Sequence, residues 1–512
     1  MSTLTRSYTP HEAQWDRFLT PPYTSSQSSY NHQYNSIYEL RLQSLSDRIV
    51  QSSDATNPHN PIPSIIAIPL NEPFFVIGTL VKDCLTRTDA ESTGDGLISH
   101  KPLRSEKTFG SKEDTIVLED ASGRIELGFD AESGITIGEL CTGIVCGIEG
   151  VLETSDKVGK ANNSGAVVNV TRVIFPSLPP PPVVSTNSDI GGSVMILSGL
   201  EMSNPSNTHS TLSLEMLFDY VTGVAGLDGG HAISRILIAG GLLPARNSTV
   251  SNGSSSSSSR SIGRNTQREY EPMAELSQFL HRLTSSNIGV DIIPGVDDYV
   301  TNRNLPQQPI HPCLFGPNSS ATTTNTTTTT GLLNRASNPY QATIGGKLFL
   351  GSDGSPVRDM CRYCSETDDT AAGDAGDANG DVTTNNMSRA LTKCLQYGHL
   401  APTSPDSLGS HPIATNSSNS SNSNSTDPMV MECRPHVLFA GNCDDFRVVV
   451  NTSPSSSSDD SGMNATSTHC VCVPHFASTG KAVLVTWGGA ADMEVKCLTF
   501  DPVCRDDISM EE

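Results

Sequence analysis

Residues 194–201 read VMILSGLE, and the fold reading starts there. Four apolar residues without alternation describe a strand buried on both faces, and Ser198-Gly199 opens a loop at its C-terminal end. The texture repeats downstream. Leu214, Leu217, Phe218 and Val221 recur at helical spacing and stop at Gly223; RILIAG (235–240) is a second buried strand ending in glycine. Met273, Leu276, Leu280 and Leu283 mark another helix face, and GVDIIPG (289–295) a third strand. Strand–helix–strand–helix–strand predicts a layered α/β domain with a largely parallel sheet. KLFLGS, HVLFAGN, HCVCVP and AVLVTW extend it to about residue 500.

Upstream the period changes. FFVIGTLV (74–81), TIVLED (115–120), RIELGF (124–129), LCTGIVCGIEGVL (140–152) and VVNVTRVIF (167–175) are short Val/Ile-rich runs, with ASG (121–123) as a hairpin turn. Five strands in about 100 residues predict a small barrel of the OB type in preference to a generic sandwich. Tyr38, Leu42, Leu45 and Ile49 predict an amphipathic helix before it. The expected division is a polar, disordered tail 1–35, a helix 36–57, a barrel domain 58–176 with an insert at 84–113, a linker 177–192 containing PPPP, and an α/β domain 193–503. Polar or low-complexity inserts are expected at 245–270, 317–336, 365–388, 414–427 and 452–468. Runs such as GSSSSSS (253–259) and TTTNTTTTT (322–330) have no apolar surface to offset the entropy of ordering.

Of 512 residues, 32 are Lys or Arg and 55 Asp or Glu, a net charge of −23 with no Lys/Arg block of five or more. That charge opposes independent binding to duplex DNA, which needs clustered cations. The barrel itself carries ten basic and sixteen acidic residues over 74–175 and neither Trp nor Tyr, which argues against a single-strand reader with stacking platforms. No apolar run reaches the length of a membrane span, so no membrane association is expected. The N-terminus lacks the pattern of a secretion signal, and thirteen cysteines, an odd number, fit a reducing compartment.

Ligand-binding loops in an α/β sheet lie at the strand C-termini, here SGLE (198–201), AGG (239–241), PGVDD (294–298) and AGNCDD (440–445). Their arrangement resembles the calcineurin-like metallophosphoesterase fold, whose active members carry D-x-H, G-D, G-N-H-D/E and G-H-x-H in corresponding loops. The resemblance implies that Gly199 and Glu201 stand in the D-x-H motif, Gly241 in place of the bridging Asp, and Val296 and Asp297 in place of Asn and His. Asp298 remains, while Asn442 and Asp444 replace two His. Glycine and valine have no donor atoms, so the resemblance implies a degenerate metal site: no catalytic residues, metal or cofactor.

An OB barrel joined to a degenerate phosphoesterase domain resembles the small accessory subunits of the DNA polymerase alpha/delta/epsilon family. FFVIGTLVKDC (74–84), IVLEDASGRIEL (116–127), ILSGLEM (196–202), LPQQPIHPCLF (305–315) and SNPYQATIGGKLFLGSDG (337–354) are similar to the delta-type small subunits. So are HLAPTSPDSLGSHP (399–412), DPMVMECRPHVLFAGN (427–442) and VCVPHFASTGKAVLV (471–485). The resemblance implies a nuclear, non-catalytic scaffold in DNA replication and repair. Its partners would be the cysteine-rich C-terminal domain of the polymerase delta catalytic subunit and the third subunit, with indirect contact to the sliding clamp and DNA. A role in polymerase zeta is implied too. Alternatives are the small subunit of polymerase alpha or epsilon, a single-strand-binding OB protein, and an active phosphoesterase, which the charge and the missing ligands oppose.

Lesser signals have plain readings. CRYC (361–364) would need Cys394, Cys433 or His399 to complete a zinc site, and unliganded thiols are preferred. Cys470 and Cys472 alternate on a strand as core thiols. The Asp-rich run 368–381 lacks calcium-loop spacing, and GLDGGH (226–231), with His231, lacks the P-loop Lys-Ser/Thr.

Overall fold

The computed structural model describes residues 9–19, 33–53, 61–84, 108–111, 114–129, 135, 137–154, 166–182, 191–204, 208–224, 232–244, 262–298, 302–315, 332–364, 382–412, 426–452, 467–488, 493–501 and 510–511. It resolves into two units, each discontinuous in sequence. One comprises Met1–Pro21, Pro181–Ser355 and Arg434–Glu512; the other comprises Pro22–Pro180 and Pro356–Cys433.

The second unit holds a closed five-stranded barrel, the OB fold expected. Its strands are β2 (Pro73–Asp83), β3 (Thr115–Asp120), β4 (Gly123–Phe129), β5 (Val145–Thr154) and β6 (Ala166–Ile174), in the order β2-β3-β4-β6-β5. Closure comes from β5 pairing back on β2 and from β4 running parallel to β6, Glu126 opposite Val167. The Asp120–Gly123 turn is fixed by Asp120 Oδ1, which accepts the amides of Ser122 (2.7 Å) and Gly123 (3.1 Å) and the Ser122 hydroxyl (2.6 Å).

Helix α1 (Asn35–Ser53) packs Leu45 and Ile49 against Phe75, Val145 and Ile174 of the barrel. Its buried face runs Ile37, Arg41, Leu45, Ile49, Ser53, so a fully buried arginine lies on it. Arg41 donates through Nε to Asp427 Oδ2 (3.0 Å), through Nη1 to the carbonyls of Pro402 (2.8 Å) and Gly143 (3.3 Å), and through Nη2 to that of Ser404 (2.7 Å). One planar cation thus ties the helix, the barrel and the 398–433 segment together. Asp427 also meets His399 Nε2 at 3.0 Å. Burial opposes ionisation of Asp427, but His399 and Arg41 hold its carboxyl well below the usual range. Burial, then the Arg41 charge, lowers His399 to about 4, so its imidazole is neutral.

The other unit contains two mixed sheets. The seven-stranded sheet has the order β10-β9-β8-β7-β16-β17-β18, with β7 (Gly192–Leu197), β8 (Arg235–Ala239), β9 (Gly289–Ile293) and β10 (Leu333–Arg335) parallel. β16 (Lys481–Trp487) runs antiparallel to β7, followed by β17 (Glu494–Thr499) and β18 (Met510–Glu511). Met195, Leu197, Ile236, Ile238, Val290 and Ile292 share a core cluster with Leu214, Leu217 and Val221 of helix α2 (Thr208–Thr222) and Met273, Leu276, Leu280 and Leu283 of helix α3 (Ile262–Ser285). Both faces of β7 are buried, which is why VMIL reads as a continuous apolar run.

The six-stranded sheet has the order β1-β11-β12-β13-β15-β14: β1 (His11–Ala13), β11 (Tyr340–Ile344), β12 (Lys347–Ser352), β13 (Val437–Cys443), β14 (Arg447–Thr452) and β15 (Ser467–Pro474). Only β12, β13 and β15 are parallel, so the largely parallel single sheet expected is replaced by two mixed ones.

Three departures from the expected division follow. Within 1–35, His11–Ala13 is not a disordered tail but a strand paired with Ala342–Ile344, and Trp15 stacks on Tyr340 at 5.5 Å between ring centroids. Short polar strands such as HEA carry no periodic signal; their stability comes from the strand they join. Residues 356–433, expected in the α/β domain, group with the barrel. Within that unit Lys82 of β2 donates to the Tyr363 carbonyl (2.6 Å), and Asp359 accepts the Thr403 hydroxyl (2.6 Å). Of the expected inserts, 84, 108–111, 262–270, 332–336, 382–388, 426–427, 452 and 467–468 belong instead to described elements or their flanks, the longest of these stretches being the first turns of α3. The cores of the inserts, the run 368–381 and His231 lie outside the described residues. No described helix is long and apolar enough to cross a membrane.

Candidate functional site

Loops at the C-terminal ends of β7, β8, β9, β12, β13 and β15 converge within the two-sheet unit. Ser198 makes the crossing. Its hydroxyl donates to the Pro474 carbonyl (2.9 Å) and accepts the Asn442 amide (2.8 Å), and Ser198 bridges His475 as an isolated parallel pair. The amides of Phe476 and Ala477 donate to the carbonyls of Ser198 and Gly199 (both 2.8 Å). Gly199 N donates to Gly240 O (2.9 Å), and Gly240 N to Ile293 O (3.0 Å), lacing the first three loops together.

The glycines here are required by space and by backbone. Gly199 and Gly241 both have φ of +64°, in the left-handed region. A Cβ on Gly199 would lie 2.2 Å from Cδ2 of His475. One on Gly241 would lie 2.5 Å from Asn442 Oδ1 and 2.7 Å from the Gly199 Cα. The Asn442 side chain fills the centre: its Nδ2 donates to the carbonyls of Asp353 (2.9 Å) and Ala239 (3.3 Å), with its backbone at φ +52°.

The carboxylates are engaged by the surrounding chain. Asp298 is buried and accepts the amides of Gly295 (2.7 Å, at Oδ2) and Leu243 (3.0 Å, at Oδ1). Burial pushes its carboxyl up to about 7, against the pull of those amides. Asp353, also buried, accepts Asn338 Nδ2 (2.9 Å), the Ser355 hydroxyl (2.6 Å) and the Val296 amide (2.8 Å). Gln307 extends the network: Asn338 Nδ2 donates to Gln307 Oε1 (2.7 Å), and Gln307 Nε2 donates to the carbonyls of Gly295 (3.1 Å) and Asn302 (2.6 Å). Glu201 Oε1 lies 3.5 Å from His475 Nε2, and Oε2 accepts Asn204 Nδ2 at 2.6 Å. The hydrogen bond from His475 holds the Glu201 carboxyl below its usual range, against burial.

Gly199, Gly241, Asn442 and the Gly295–Asp298 turn are therefore brought together, and Glu201 lies beside them through His475. Val296 enters through its backbone, Asp297 is half-buried in the same turn, and Asp444 is exposed. Sequence reasoning placed Ser198 in a candidate loop without a role and missed Gln307, Asn338, Asp353 and His475 as members. All five lie in the strings ILSGLEM, LPQQPIHPCLF, SNPYQATIGGKLFLGSDG and VCVPHFASTG, so the signal was present without a role attached.

A second buried network lies on the same unit. Asp291, in the middle of β9, meets Arg235 Nη1 (2.5 Å), Asn334 Nδ2 (2.7 Å), the Tyr340 hydroxyl (2.7 Å) and His11 Nε2 (3.2 Å). Burial opposes its charge, but Arg235 and His11 hold it well below the usual carboxylate range. In the barrel unit, the Cys394 thiol contacts Met360 Sδ (3.3 Å), and His399 is committed to Asp427 and the Ala401 amide. Among the described residues no group of three or more His, Cys, Asp or Glu is placed to hold a metal, around CRYC or elsewhere. Cys470 and Cys472 are buried.

Residues 33–159 match the family of the DNA polymerase delta subunit OB-fold domain, and residues 194–448 match the DNA polymerase alpha/epsilon B-subunit family. The chain belongs to the DNA polymerase B-subunit family. Members named DNA polymerase delta small subunit are 26% identical in Oryza sativa subsp. japonica (473 residues, 91% of this chain and 93% of the relative) and 26% in Saccharomyces cerevisiae (482 residues, 89% and 87%). A Drosophila melanogaster relative, DNA polymerase delta subunit 2, is 27% identical over 392 residues, 75% of this chain and 74% of its own. The barrel match covers α1 and strands β2 to β5 of the barrel unit, and the B-subunit match includes the first three loops and Asn442 of the cluster. A polymerase accessory subunit is what these matches describe.

Proposed function

We propose that this B-subunit family member is the non-catalytic small subunit of DNA polymerase delta. It would act in the nucleus as the scaffold that joins the cysteine-rich C-terminal domain of the catalytic subunit to the third subunit. Contact with the sliding clamp and DNA would be indirect, and service in polymerase zeta follows from the same reading. The two-sheet unit is read as a phosphoesterase-type fold whose hydrolytic site has closed. The observation that carries this is the packing at Gly199 and Gly241, where a carboxylate-bearing side chain would collide with His475 or Asn442. Two-metal hydrolysis needs an open cradle of donors around the phosphate. Here Asp298 and Asp353 are turned to backbone amides, and Asn442 occupies the centre.

The acidic barrel favours protein over nucleic acid as its partner. Co-expression of the full chain with a C-terminal fragment of the polymerase delta catalytic subunit should give a complex that co-elutes at fixed stoichiometry. The isolated chain should bind single-stranded or primer–template DNA no better than ~10⁻⁴ M at physiological salt. Failure of the fragment to co-elute, with tight and salt-sensitive DNA binding by the chain alone, would replace the scaffold reading with that of a single-strand-binding protein.

A further inference from the structure

Just ahead of β2, the stretch IIAIPL (65–70) presents apolar side chains to solvent. Ile66 is 81% exposed, more than any other large apolar residue among the described residues, and Leu70 is 51% exposed. A loose loop would let such side chains fold down, but this one is pinned. Ile65 is buried, and its amide donates to Asp120 Oδ2 (2.8 Å). The Ile66 amide donates to the Ser122 hydroxyl oxygen (3.2 Å), and those of Ala67 and Ile68 donate to the carbonyls of Ser64 (3.1 Å) and Ile65 (3.2 Å). At the far end Leu70 bridges Leu152 of β5, and the Asn71 amide donates to the Leu152 carbonyl (2.9 Å). Apolar side chains on a fixed backbone have little freedom left to lose when a partner covers them, as a binding anchor requires.

Charge then selects the partner. Exposed Glu72 follows Leu70 by two residues, and exposed Glu153 follows Leu152 directly. Exposed Glu126 lies on β4, against which the Ile65–Ala67 turn packs, and Glu126 and Glu153 stand on either side of Val167. Each cation on the barrel strands is committed elsewhere: Lys82 to Asp114 (3.4 Å), Arg124 to Glu119 (3.2 Å) and Arg172 to Glu149 (3.2 Å). No Lys or Arg occurs between Arg48 and Lys82. Apolar anchors bordered by unneutralised carboxylates repel nucleic acid and anionic membranes and are matched by a cationic polypeptide. With the amides of residues 65–68 and 71 already taken, no strand can add by backbone pairing. The contacts must come from side chains, which is how an amphipathic helix binds.

We propose that the Ile66–Leu70 patch docks an amphipathic helix of a partner polypeptide, apolar on its contacting face and bordered by lysine or arginine. This rests on the reading of the barrel as a protein-binding module and adds to it the place and the chemistry of the contact. Ile66 and Leu70 enter the apolar face of the helix, while Glu72, Glu126 and Glu153 meet its cations.

The test uses the full chain and, as probe, a fluorescein-labelled helical peptide with leucine on one face and lysine along its borders, read by fluorescence anisotropy. It should bind about tenfold or more tightly than the same residues reordered to spread the leucines round the helix, or than a version with glutamate for lysine. Ile66→Ser combined with Leu70→Ser should weaken binding about tenfold or more. Glu126→Gln combined with Glu153→Gln should weaken it about threefold and flatten its salt dependence. Both double variants should melt with the parent, because all four side chains are exposed. Equal binding of the three peptides, an affinity unchanged by the Ile66/Leu70 pair, or a salt dependence unchanged by the Glu126/Glu153 pair would each overturn the proposal. So would a parent chain that dimerises at micromolar concentration and loses the dimer with the Ile66/Leu70 pair, which would give the patch to a second copy of this chain. The peptide readout does not involve the catalytic-subunit fragment, so failure of the patch and failure of the scaffold reading, seen in co-elution, are told apart.

Discussion

Placing a carboxylate at position 241 is the direct test of the proposal that this loop cluster is a closed hydrolytic site. Gly241→Asp would put a Cβ 2.5 Å from Asn442 Oδ1 and 2.7 Å from the Gly199 Cα, at a φ of +64°. The left-handed backbone costs roughly 1 kcal/mol for a residue with a Cβ. Overpacking adds about 1–3 kcal/mol, and here one neighbour is backbone, so it cannot turn away. A carboxylate forced beside an amide oxygen without a cation adds several kcal/mol more. The total is at least about 4 kcal/mol, a large share of the ~5–15 kcal/mol that holds a typical domain folded. Calorimetry of the full chain should show the melting temperature falling by roughly 10 °C. Gly241→Ala, which keeps the strain and overlap but adds no charge, should lose about half as much. Both variants should remain inert toward phosphodiesters in manganese, zinc or magnesium. A Gly241→Asp chain that melts within about 2 °C of the parent would refute the packing argument. Manganese-dependent hydrolysis by that variant would refute the reading of a closed site.

Other perturbations probe the buried charges and the N-terminal strand. Asp298 has its carboxyl raised to about 7, so the stability it contributes is fully present below the unfolded value near 3.8 and is lost as pH rises to about 7. The stability difference between the parent and Asp298→Asn should shrink by about 1.4 kcal/mol per pH unit across that window in guanidinium titrations; a constant difference would mean that Asp298 is ionised in the fold. Arg41→Met should cost about 3–5 kcal/mol by stranding Asp427, and adding Asp427→Asn should restore only part of it. The carbonyls of Gly143, Pro402 and Ser404 would still lack Arg41's donors, so full recovery in the double variant would show that those bonds contribute nothing. Trp15→Ala should cost about 3–5 kcal/mol in thermal melts, since Trp15 is buried against Tyr340; a neutral result would detach β1 from the folded unit.

The parts of the fold legible in sequence were those with a period or a long apolar run. VMIL, RILIA and GVDII announced their strands because both faces are buried, and the barrel announced itself by short Val/Ile runs separated by turns. Arg41 falls on the helix face that its i+4 neighbours bury, yet a charge there reads as solvated until its four acceptors are known. The same holds for Asp291 inside an apolar strand. Residues 356–433 follow the α/β strands in sequence, and nothing local marks that Tyr363, Thr403 and Asp427 turn to the barrel unit. The candidate loops were legible because strand ends define them. What fills them was not, since Asp353, Asn442 and His475 arrive from strands 100 residues or more from β8, and only the folded chain brings them to Gly241.

The hydrogen bond from Arg41 to Asp427 spans 386 residues of chain. During synthesis at ~5–20 residues per second, Arg41 emerges roughly 20–80 seconds before the carboxylate that neutralises it, and all five barrel strands are out well before that carboxylate as well. Through this interval the guanidinium must stay in water, and α1 cannot seat its buried face on the barrel without burying an uncompensated charge. A helix synthesised before the barrel is thus among the last elements to settle. A nascent chain stalled before residue 427 would expose the apolar side of α1, making it a natural client for chaperones that hold amphipathic helices.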